Sequence, residues 1–173
     1  KIREKMVIFF LFFSLFTIQE EKRYVIESSS IEFYSYAPLE DIQAVNTESV
    51  GAIDLSTGEF IIKIPVSSFD FPNKLMEKHF NDSYLETDRY PECIFRGNLD
   101  GDNANGEITL HGVTKKISVP VIMSKSEEEV TIDTEFKITL KDHKIKVPRL
   151  LFQNIAEEIE VKVSSSFKKY QAE

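Results

Sequence analysis

The sequence predicts an all-β domain built on one antiparallel sheet with a greasy face and a wet face. Three observations carry this. Val130, Ile132, Thr134, Phe136, Ile138 and Leu140 alternate with Thr131, Asp133, Glu135, Lys137, Thr139 and Lys141, which is the two-residue period of a half-buried strand. Gly106 to Val121 reads as a hairpin. Closed by a four-residue loop, Gly112 to Lys115, it sets Leu110 opposite Ile117, Thr109 opposite Ser118 and Ile108 opposite Val119, apolar on apolar and polar on polar. A parallel sheet would instead read as continuous apolar runs. Only one segment, about Pro72 to Asn81, carries a convincing helical stripe.

The chain of 173 residues fits one domain with a real core. Lys1 to Lys5 is a basic stretch, and Met6 to Ile18 is an apolar run of thirteen residues holding Phe9, Phe10, Phe12, Phe13 and Phe16. That run is shorter than the roughly 20 residues a membrane-spanning helix needs. It fits a secretory signal peptide over residues 1–19, ahead of one domain over 20–173. No Ala-x-Ala site follows it, so an uncleaved anchor is the alternative.

The formal net charge of −8 argues against nucleic acid as a partner. A single cysteine, Cys93, excludes an internal disulfide and reads as a small buried apolar residue. No metal, cofactor or stable membrane span is expected, and a homodimer remains open.

Within the domain, Glu27 to Ser30 breaks two β-like runs, Arg23–Ile26 and Ile31–Tyr36. Pro38 makes 37–41 a loop. Ile42–Val45 and Ser49–Leu55 are short strand candidates, and Ser56-Thr57-Gly58 is a turn. Phe60, Ile62 and Ile64 then alternate with charged neighbours up to Pro65. In the helix, Leu75, Met76, His79 and Phe80 form one apolar stripe, and Pro72 is tolerated in the first turn. Tyr90-Pro91 opens a strand through Phe95. Asn98 to Asn105 reads as an exposed turn; it lacks the terminal Glu and the flanking helices of a calcium loop. Ser124–Glu129 is a charged turn, Lys141–Pro148 a basic connection and Arg149–Asn154 a short segment. Ile155, Ile159, Val161, Val163 and Phe167 mark the last strand.

The residues alone leave sandwich and barrel undecided. The ordered set Leu75-Met76-Glu77-Lys78-His79-Phe80, Tyr84-Leu85-Glu86, Tyr90-Pro91 and Gly106 to Lys115 resembles the YceI-like family. The resemblance implies an antiparallel up-and-down lipocalin-like β-barrel of about eight strands with one short flanking or capping helix, holding a polyisoprenoid or other long-chain lipid. Between Phe33 and Phe60 the chain departs from the family's pattern, so that part of the barrel is expected to close differently.

His79, His111 and His143 stand at no zinc spacing, and none reads as catalytic. His111 is expected to hydrogen-bond loop backbone. No nucleophile elbow, phosphate loop or dinucleotide fingerprint is present, so an enzyme is not expected. What remains is apolar. Phe33, Phe60, Ile62, Phe69, Leu75, Met76, His79, Phe80, Phe95, Ile108, Leu110 and Phe136 are the candidate ligand-binding residues. By themselves they favour a filled core, because interiors are close-packed. The resemblance implies instead an exported lipid-binding protein with a slot for a long-chain isoprenoid or fatty-acyl lipid. The alternative is a ligand-free exported barrel acting as an envelope or partner-binding module. A carrier should show several hundred Å³ of continuous apolar space.

Overall fold

The computed structural model describes residues 22–36, 41–146 and 157–171. The expected leader, the loop at Pro38 and the segment Arg149–Asn154 lie outside them.

Among the described residues ten strands form one antiparallel sheet: β1 Arg23–Ser35, β2 Ile42–Asn46, β3 Val50–Asp54, β4 Glu59–Pro65, β5 Glu92–Asp100, β6 Asn103–Leu110, β7 Val113–Pro120, β8 Ile122–Lys125, β9 Glu129–Thr139 and β10 Glu158–Lys169. Their order is β7-β6-β5-β4-β3-β1-β10-β9-β8, with β2 paired to β1 off that path. β2 and β3 share one edge of β1, against Ile31–Ser35 and Arg23–Val25 respectively. β7 and β8 are one run that changes partner at Val121, from β6 to β9. Pro120 has no N–H to carry the ladder on. Val121 donates to the Asp102 carbonyl instead, and the Thr134 hydroxyl donates to the Pro120 carbonyl at 2.6 Å. The two ends of the sheet order are therefore one continuous chain, and the sheet curls into the lipocalin-like form. Beyond that bend β7 and β9 run side by side without a ladder. The expected eight strands become ten because β2 is a separate short strand and the β7–β8 run is bent.

The organising hairpin keeps its faces but not its expected register. Leu110 pairs with Val113, Ile108 with Lys115 and Gly106 with Ile117, around a two-residue turn at His111-Gly112. Both turn residues have positive φ, 50° and 70°, the backbone that matches strand twist in a two-residue hairpin. Turn geometry has overridden the apolar pairing. Because the shift is an even number of residues, no side chain changes face.

Two other expectations change. Asn98–Asn105 is mostly strand, with only Gly101-Asp102 as its turn. The serine-rich break in β1 is a bulge between Ile26 and Ser28, and the strand continues through it. Ser29, on the inner face, bonds Ser49, which satisfies two buried hydroxyls.

The one α-helix among the described residues, α1, spans Lys74–His79 and continues as a π-turn, Phe80–Tyr84. It is shorter than expected, and Asn73 caps it, accepting from the Leu75 and Met76 amides at 3.0 and 3.2 Å. The buried side chains make two clusters. One gathers Ile31, Phe33, Val66, Phe71, Met76, Leu85, Leu110, Leu140 and Ile145 at the helix end. The other gathers Tyr24, Ile53, Phe60, Val119, Val130 and Phe167 at the far end. Phe95, Ile117 and Phe136 pack against both.

Candidate functional site

A continuous cavity of about 180 Å³ runs through both clusters, and its open wall is wholly apolar. Alternation puts it there. Each inner strand position contributes one side chain, while the charged partners Glu32, Lys63, Glu135 and Lys162 point outward. At its middle, the inner face of β5 and β6 carries no side chain. Gly97 and Gly106 are paired there, with Phe60 on one side and Ile117 on the other. The two strands coil so closely that a Cβ on Gly106 would lie 2.2 Å from the Arg96 carbonyl oxygen.

Of the candidate residues, Phe33, Phe60, Ile62, Phe69, Met76, Phe80, Phe95, Ile108, Leu110 and Phe136 line the cavity. Leu75 and His79 do not: Leu75 is 63% exposed, and His79 is exposed as well. The expected four-residue stripe is thus split. Met76 and Phe80, four residues apart, turn inward, and Leu75 and His79 ride on the outer side. The short helix and the π-turn leave room for one inward row only.

Sequence reasoning missed Phe71, Tyr84, Leu85, Leu140 and Ile145, which also line the cavity. Phe71, Tyr84, Leu85 and Ile145 sit in irregular segments with no period to betray them, whereas Leu140 ends the alternation of β9 and is absent from the candidate set despite it. Phe71 completes an aromatic group under the π-turn. Phe33 lies 5.3, 5.7 and 5.5 Å from Phe69, Phe71 and Phe80, and Phe80 lies 4.9 Å from Phe71. Cys93 also lines the cavity, and burial pushes its thiol up to about 12. A thiol held protonated is no nucleophile at neutral pH.

The polar groups at the helix end form a knot outside the apolar wall. His111 Nδ1 lies 3.1 Å from the His143 carbonyl oxygen, and its Nε2 lies 3.0 Å from Glu86 Oε2. The ring thus sits between a main-chain carbonyl and a carboxylate, each within hydrogen-bond distance of one of its nitrogens. The expected bond of His111 is to the backbone of its own loop; its backbone partner lies instead in the 3₁₀ turn 32 residues on, and the Glu86 contact adds a side-chain partner 25 residues away in the chain. Tyr90 packs edge-on against the His111 ring at 4.5 Å. Buried His143 in turn places Nδ1 3.2 Å from the Val113 carbonyl oxygen, which ties the 3₁₀ turn Leu140–His143 to β7 across the unladdered seam. Among the described residues, the non-glycine positions with positive φ are Glu86, His111 and Lys144, and all three belong to this knot or adjoin it. Such backbone costs on the order of 1–3 kcal/mol at each position and persists where surrounding contacts over-determine it.

The fold has counterparts in solved structures. A polyisoprenoid binding domain from Saccharophagus degradans, implicated in plant cell wall breakdown, superposes with a TM-score of 0.75 at 15% identity, covering 87% of this chain and 100% of that one. BcnA of Burkholderia cenocepacia gives 0.67 at 18% identity, over 80% and 95% of the two chains. A Campylobacter jejuni YCEI protein gives 0.56 at 17% identity, over 72% and 81%. At these identities the likeness establishes the fold. No curated protein sequence matches this chain. The sequence model of the YceI-like domain matches residues 24–167, which is nearly the whole of the described barrel. The chain belongs to the YceI-like domain family.

Proposed function

We propose that this protein holds the tail of a long-chain lipid, an isoprenoid or other amphiphile, inside the barrel. The observation that carries the reading is a cavity that joins both core clusters behind an apolar wall. The polyisoprenoid binding described for the Saccharophagus degradans domain supports it. An apolar slot offers a tail about 0.8 kcal/mol per buried methylene and gives a headgroup nothing to bond. At about 180 Å³ the space is smaller than the several hundred Å³ expected of a carrier, so the occupant is a slender chain, entering from the helix end. The same small volume favours the second reading, a ligand-free barrel that works through its surface.

A tail-length series separates the two. Affinity of fatty and isoprenoid alcohols, read by displacement of a fluorescent fatty acid, should rise about fourfold for each added methylene until the slot is full. Exchanging alcohol for carboxylate should matter little. Affinity independent of tail length, or set by the headgroup, contradicts tail burial.

We further propose that the protein acts outside the cytoplasm, on the strength of the basic and apolar segment ahead of the barrel. Intact mass of the protein from its native compartment should place the N-terminus between Ile18 and Lys22. A chain still carrying Phe9 to Phe16 refutes cleavage.

A further inference from the structure

We propose that His111 is a positioning residue: it pins the segment Lys74–Tyr90 over the helix end of the cavity, and breaking its Glu86 link is the step that opens that end. One imidazole holds two separate walls of the mouth. Through Glu86 it holds the segment bearing Met76, Phe80, Tyr84 and Leu85, and through the His143 carbonyl it holds the 3₁₀ turn that begins with Leu140. The segment has few other ties to the sheet. Asp70 bridges to Val45 ahead of it and the Val66 amide bonds the Pro91 carbonyl at its end; among the described residues, the other hydrogen bonds of 73–90 stay within the segment or reach only to Asp70 and Phe71 just before it.

The link is placed to break. Glu86 is 44% exposed on its side chain, whereas His111 is 10% exposed, so water can replace the carboxylate without disturbing the ring. Glu86 itself sits at positive φ, 45°, a backbone conformation that the closed segment holds and that opening would relieve. The π-turn supplies the hinge. Its wider ring is the kind of helical irregularity found at functional sites. Gly112 keeps the station in register, because a Cβ there would strike the Tyr90 ring at 2.6 Å.

Only the consequence for ligand release rests on the lipid-binding reading; the pin itself does not. Glu86→Ala removes the acceptor from an exposed position and should leave the barrel folded, while Glu86→Gln retains an acceptor oxygen. In hydrogen exchange, the Glu77, Leu85 and Thr87 amides, bonded to Asn73, Phe80 and Asn81, should exchange about tenfold faster in Glu86→Ala. The Val161–Phe167 amides of β10 should keep their wild-type rates, and Glu86→Gln should restore most of the protection. Release of bound cis-parinaric acid should accelerate by a similar factor in Glu86→Ala. Unchanged exchange at these three amides overturns the proposal, as does faster exchange spread evenly over the sheet. A wild-type protein that takes up no cis-parinaric acid refutes the lipid reading instead, and the exchange pattern then decides the pin alone.

Discussion

Gly106→Ala should cost the barrel about 3 kcal/mol or more, enough to move its urea midpoint well below that of the wild type. Ordinary overpacking costs about 1–3 kcal/mol because side chains can rotate away. Here the added methyl meets main chain: the Arg96 carbonyl oxygen at 2.2 Å and the Gly97 Cα at 2.9 Å. No rotamer relieves that. The strands must separate, and the ladder between β5 and β6 goes with them. Gly101→Ala is the control. Its Cβ would meet nothing within 4 Å, but its φ is +59°, so the cost is conformational, about 1 kcal/mol. Equal midpoints for the two variants would mean that β5 and β6 do not approach this closely at Gly97 and Gly106.

Met76→Asp should abolish lipid retention, with a loss of at least about a hundredfold, while Leu75→Asp should leave it within about twofold of wild type. These neighbours differ in burial: Met76 is 7% exposed and lines the cavity, and Leu75 is 63% exposed. A carboxyl at position 76 must lose its hydration or draw water into the slot, and either opposes an apolar tail. Met76→Leu keeps volume and apolarity and should retain lipid. Because Met76→Asp also strains the core, its circular dichroism and melting must be recorded beside the lipid content. If Met76→Asp is folded and still loaded, the tail lies elsewhere. If Leu75→Asp is empty, the helix presents its other side.

What the sequence made legible was periodicity and composition. The alternation in β9 and β10 placed Phe136, Ile138, Val161 and Phe167 on the inner face as observed. The hairpin's faces were readable, but its register was not. Pairing apolar residues by eye prefers a four-residue loop, whereas the left-handed backbone at His111 and Gly112 fixes a two-residue turn. The helix was readable, but the choice between Leu75 and Met76 was not. Two adjacent apolar residues look alike until the hinge and the cap fix the rotation of six residues. Phe71 and Ile145 were missed because irregular segments have no period. The Glu86–His111 contact joins residues 25 apart through tertiary structure alone, and nothing local announces it.

The proposed occupant of the cavity running past Phe33, Phe80, Phe95 and Phe136 is a lipid tail. The most direct measurement is native mass spectrometry of the freshly purified wild-type protein, followed by organic extraction of the same sample. The account predicts a long-chain lipid at near-equimolar amount, lost on extraction and regained when an isoprenoid or acyl chain is supplied. Repeatedly empty protein that takes up neither class of chain would contradict it and leave the surface of the barrel as the seat of its function.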